Sequence, residues 1–200
     1  MSTFMATAAV DLPVAADPGP FLDSMKLAVR DTVAVWIRPL GSTHTRVSLF
    51  ADGGNGWLAE SIAAAPAWER ALIALDHDEW GAEHLVLSNV DGAVHRVQHV
   101  YIHWGDTPSS DFEEVSLADL PPAPGLTTAS GGTLNDAGAW SAVAALYDAD
   151  PAAVERAGRY AAKAHENLGT IFTPFEPFWD AVGAQYPIAL GEDLDAVLLA

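Results

Sequence analysis

Apolar and polar residues alternate with a period of two at two separate places, and that pattern commits the chain to a fold built on β-hairpins. Val33, Val35 and Ile37 alternate with Ala34, Trp36 and Arg38 until Pro39 ends the run. After Gly41-Ser42-Thr43, Thr45, Val47, Leu49 and Ala51 alternate with Arg46, Ser48 and Phe50. A strand, a short Gly-containing turn and a second strand predict an antiparallel hairpin. Further on, Leu85, Val86 and Leu87 face Val94, Val97, Val100 and Ile102 across Asn89-Val90-Asp91-Gly92. The Asp-Gly pair favours a tight turn, so this is a second hairpin.

Helical signals fill the space around them. Phe21 to Arg30 suits a short helix and Trp57 to Ala64 another. Pro66 suits a first helical turn, and Trp68, Leu72 and Leu75 then fall on one face, which predicts a helix covering one side of the sheet. Asp136 is placed to cap a helix holding Trp140, Val143 and Tyr147. Asp150-Pro151 supplies cap and first-turn proline for one that reaches Leu168 and stops at Gly169. Phe172, Phe175, Phe178 and Trp179 form an aromatic cluster suited to sealing these helices onto the sheet.

The fold class expected is α+β: an antiparallel or mixed sheet built from two hairpins, helices packed against it, and a helical C-terminal half. At 200 residues one domain is expected, spanning 21–200. Residues 1–20 read as a mobile arm or peripheral strand. The Pro-, Ser-, Thr- and Gly-rich stretch at about 106–133 reads as a long surface loop.

Charge narrows the function classes. The 27 acids outnumber 9 Lys and Arg to give −18, a field that repels nucleic acid and anionic lipid and attracts a basic protein partner. No apolar run approaches the roughly 20 residues of a membrane helix. Met1 to Pro20 contains no cation, so it lacks the basic start of a secretory signal. Without cysteine there is no disulfide, zinc-thiolate site or thiol nucleophile, and a cytoplasmic location is expected for a monomer or dimer.

The clearest constellation is His95, His99 and His103, which an ideal strand would aim to one face together with Val97 and Tyr101. Four strand residues span roughly 13 Å, too far for successive histidines to share one metal unless a bulge or a partner strand intervenes. No metal and no cofactor are therefore expected. In the alternative reading, a small enzyme or ligand-binding protein, His95, His99, Tyr101 and His103 line a pocket as hydrogen-bonding and acid-base groups.

Other groupings are weaker. Asp76-His77-Asp78-Glu79, with His84 beyond it, has metal-binding residue types in no familiar spacing. Asp52-Gly53-Gly54-Asn55-Gly56 lacks the lysine of a phosphate loop. Arg156, Arg159 and Lys163 share a helix face on which Glu155 can pair with Arg159. No GxSxG or HExxH motif occurs. The leading expectation is thus a small acidic protein-binding module, an immunity protein or antitoxin being its sharpest version. Two segments mix carboxylates with an aromatic anchor and are the expected contact surface: Asp76, Asp78, Glu79 and Trp80, and Asp111, Phe112, Glu113 and Glu114.

Overall fold

Both hairpins form, and strands that periodicity does not reveal join them into a wider sheet. The computed structural model describes residues 5–28, 33–52, 56–76, 81–90, 92–103, 127–128, 137–162, 175–185 and 197–199. In chain order these are β1 (Met5–Pro13), α1 (Gly19–Ala28), β2 (Val33–Leu40), β3 (His44–Asp52), α2 (Gly56–Ala64), β4 (Arg70–Asp76), β5 (Gly81–Val90) and β6 (Ala93–His103). They continue with β7 (Thr127–Thr128), α3 (Ala137–Tyr147), α4 (Pro151–Ala162), α5 (Glu176–Ala181) and β8 (Val197–Leu199). One eight-stranded sheet runs β7-β6-β5-β4-β1-β3-β2-β8, antiparallel except for the β6–β7 pair. The class is α+β with its helices mostly in the C-terminal half. Among the described residues no helix is long and apolar enough to cross a membrane.

Two expectations are corrected. Residues 5–13 are neither a mobile arm nor a peripheral strand: β1 lies inside the sheet, paired with β3 on one side and β4 on the other. The predicted helix after Pro66 is strand β4 instead. Ala67 takes a left-handed backbone (φ 61°), which breaks helical continuation, and Arg70 to Asp76 then pairs with both β1 and β5. Both strands are covered on both faces, so their sequences read as nearly continuous apolar runs without alternation. The stretch expected as a long loop at 106–133 lies outside the described residues, apart from β7.

Each face of the sheet has its own core. Ala6, Ala8, Val10 and Leu12 of β1, with Val47, Leu49, Ile73 and Leu85, pack under Phe21 and Met25 of α1 and Leu58 and Ile62 of α2. Among the described residues the opposite face presents Ala9, Leu72, Ala74 and Val86 to α3, α4 and α5, which cover it through Trp140, Val143, Val154, Phe178 and Trp179, and Trp36 is buried on the same face. The second layer therefore meets a sheet surface that mixes apolar side chains with the polar Asp11, Arg46, Ser48 and Ser88. Phe175, Phe178 and Trp179 are buried there, in the sealing role expected of them; Phe172 lies outside the described residues.

Gly158 of α4 packs directly on Trp140 of α3, since a Cβ there would fall within the indole, 2.8 Å from Cδ1. A helix-interior glycine costs about 1 kcal/mol relative to alanine, so Gly158→Ala would stabilise a free helix. Overpacking the buried Trp140 reverses that sign, and we expect a net loss of about 1–3 kcal/mol in urea unfolding. A rise in stability would mean that Trp140 yields without cost.

Candidate functional site

Cross-strand register lines up Arg38, Arg46, Asp11, Arg70, Ser88 and His95 on β2, β3, β1, β4, β5 and β6. Residues directly opposite one another in a sheet share a face. This charged row therefore crosses the face covered by α3–α5. At its centre Asp11 is fully buried, as is Arg46. Arg46 donates through Nε to Asp11 Oδ1 at 2.6 Å and through Nη2 to Oδ2 at 2.8 Å, a two-pronged pairing. Arg70 Nε donates to the same Oδ2 at 2.7 Å. One carboxylate between two guanidiniums leaves a positive excess in the interior, where isolated charge is costly.

Helix ends absorb that excess. Arg46 Nη1 donates to the Gly183 carbonyl just past α5, and Arg70 Nη1 donates to the Leu146 carbonyl in the last turn of α3. Carbonyls there have no partner within the helix, and their dipoles favour cations. Arg38 Nη1 donates to Gln185 Oε1 at 2.8 Å. Burial, then the charge of Arg46, lowers the Arg38 pKa, and Asp11 opposes them. The Arg70 guanidinium lies 4.5 Å over the Tyr147 ring, and burial, then Asp11, raises the Tyr147 phenol well above its ordinary range, keeping it neutral. With its donors directed at carbonyls, the row clamps the helical layer to the sheet. Nothing in the sequence reading singles out Asp11 or Arg70; the available signal is a lone carboxylate inside the apolar run Ala8-Ala9-Val10-Asp11-Leu12, which requires a partner once buried.

The histidines of β6 are separated. Opposite β5, the register shifts between Val86 and Leu87, so that Val97 has no direct partner. A bulge of this kind reverses the facing of every later residue. His95 pairs with Ser88 on the clamp face, whereas His99 pairs with Leu85 on the α1–α2 face. The single histidine face expected from an ideal strand is thus corrected. Arg96 comes to His99's side instead, and the two contact each other through Nη1 and Nδ1 at 3.1 Å, both buried. A guanidinium only donates, so His99 Nδ1 accepts and its proton resides on Nε2. Tyr101 and His103 pair with Glu83 and Gly81, and their side chains lie outside what is described.

His84 of β5 is the histidine with the most developed surroundings. Its Nε2 accepts the Trp179 indole N–H at 3.0 Å, and its ring stacks on Phe175 at 5.0 Å and meets Phe178 edge-on at 4.9 Å. Burial, followed by the neighbouring His99, pushes its pKa down to about 3, with Gln98 pulling the other way. It is a neutral acceptor at ordinary pH. Among the described residues no group of three or more His, Asp or Glu could hold a metal ion.

Of the acidic contact segments, Asp76 ends β4 with its side chain outside what is described, and Asp78, Glu79, Trp80, Asp111, Phe112, Glu113 and Glu114 lie outside the described residues altogether. Comparison with family models, with curated proteins and with solved structures finds no match for the chain.

Proposed function

We propose that this is a small acidic protein-binding module that docks on a basic protein partner, with an immunity protein or antitoxin neutralising a cationic toxin enzyme as its most specific form. The observation that carries this reading is how charge divides between inside and outside. Arg46 and Arg96 are buried and Arg70 largely so, engaged within the fold. On the described surface the exposed carboxylates are Asp17, Asp23, Glu60, Glu69, Asp148, Asp150, Glu176 and Asp180, against the exposed guanidiniums of Arg156 and Arg159. Arg159 is further occupied by Glu155 at 2.9 Å and by the Trp140 ring. Cations drawn inward leave the exterior with an uncompensated negative field, which steers positively charged partners.

Affinity purification from the source cell with mass spectrometry identifies the partner, and its charge and kinetics test the proposal. A basic partner is expected whose association rate falls about tenfold or more as salt rises from low to physiological strength, while dissociation changes little. Neutralising Asp111, Glu113 and Glu114 together should slow association, and Phe112→Ala should hasten dissociation. A partner of acidic or neutral surface, or an association rate indifferent to salt, sinks the proposal. Equal binding by the triple variant and by the corresponding Asp76, Asp78, Glu79 variant would remove both surface assignments.

A further inference from the structure

We propose that His84 and helix α5 form an acid-released latch, in which protonation of the imidazole lifts the 175–184 segment from the sheet while the opposite layer stays folded. This inference stands independently of any partner.

The geometry supplies both halves of the device. Trp179 Nε1 donates to His84 Nε2, and an imidazolium has no lone pair to accept that bond. Protonation therefore breaks the hydrogen bond and places a cation in a cage of Phe175, Phe178 and Trp179. No carboxylate among the described residues pairs with the ring. From β4 its cross-strand partner is Ala74 and from β6 it is Val100, with the Gln98 amide beside it and His99 the neighbouring titratable group that also lowers its pKa. The acids of α5, Glu176 and Asp180, are exposed on the outer side of the helix. Only a ring face attracts a cation, so the stacked Phe175 offsets part of the cost of an imidazolium, while the 73° edge contact with Phe178 supplies no carboxylate-like counter-charge.

Release is local because the two cores are separate. None of the residues that form the α1–α2 core belongs to α3, α4 or α5. The 175–184 segment holds the sheet through its aromatics, the His84 bond and the Arg46 bond to Gly183, so loss of one polar attachment weighs heavily on it. The sign follows from linkage. A base that is harder to protonate when closed, with a pKa of about 3 against about 6.5 when released, stabilises the closed state fully above pH 6.5. That stability is lost as pH falls toward 3, so the opening equilibrium grows up to about tenfold per pH unit below 6.5.

Amide hydrogen exchange of the whole protein at pH 7.5, 6 and 5, corrected for the intrinsic pH dependence of exchange, tests the latch. Protection across 175–184 should fall progressively, approaching tenfold per unit, while β1, β3 and β4 keep theirs. In His84→Gln, whose amide stays neutral and can accept from Trp179, that fall should disappear. Overturning results are unchanged protection of 175–184, equal loss across the strands, or equal acid sensitivity in His84→Gln. If His84→Gln does not fold, imidazole and indole NMR of the unaltered protein decides the matter. Disappearance of the bonded Trp179 indole resonance in step with His84 protonation supports the latch, and its persistence beside a charged His84 refutes it.

Discussion

Asp11→Ala is expected to lower the unfolding free energy by about 3–5 kcal/mol, among the largest effects of any single substitution in this fold. The substitution leaves Arg46, 1% exposed, and most of Arg70 charged in an interior with no counter-charge between them. It also frees the side chains that reach the Gly183 and Leu146 carbonyls, so both ends of the helical layer lose their attachment. Asp11→Asn keeps the volume but not the charge and should cost nearly as much. Glu69→Ala, which removes an exposed contact to His44, should cost no more than about 1 kcal/mol. Urea unfolding of the three variants ranks them, and an Asp11→Ala loss as small as that of Glu69→Ala would show that the clamp does not carry the layer.

Trp179→Ala should cost about 3–5 kcal/mol for a different reason. The indole is fully buried, so truncation opens a cavity between α5 and the sheet, and it removes the donor that satisfies His84 Nε2. Trp179→Phe separates the two contributions. It retains most of the ring volume and loses the hydrogen bond, for which about 1–2 kcal/mol is expected. Near-equal losses for the two variants would place the energy in the polar bond, whereas a neutral Trp179→Phe would place it in packing.

These effects arise from residues that differ in how visibly the sequence marked them. The first hairpin was legible from period-2 registers such as Val47, Leu49 and Ala51, and the second from the apolar Leu85 to Leu87 run followed by the Asp91-Gly92 turn signal. β4 was not: Ala71-Leu72-Ile73-Ala74-Leu75 is apolar without a break, and the spacing of Trp68, Leu72 and Leu75 fits a helix by coincidence. The aromatic seal at Phe175 and Trp179 was legible from composition alone. The clamp was not, since Asp11, Arg46 and Arg70 are separated by 35 and 59 residues from the carboxylate outward and meet only through a register that β1 creates. The histidine face failed for one local reason, a single extra residue at Val97 that no periodicity announces.

The position of β1 also governs the order in which the fold can assemble. β2 with β3, and β4 with β5 and β6, are hairpins of neighbouring segments that close quickly, but β3 and β4, consecutive in the chain, do not pair with each other. Until β1 inserts between them, two half-sheets face one another across a one-strand gap, each with an open hydrogen-bonding edge. Filling that gap requires loop closures far longer than a hairpin's, so it is the slow, entropically costly step of folding. During that interval either edge is open to a β1 from another molecule, and strand exchange between copies competes with insertion of the chain's own β1 as concentration rises.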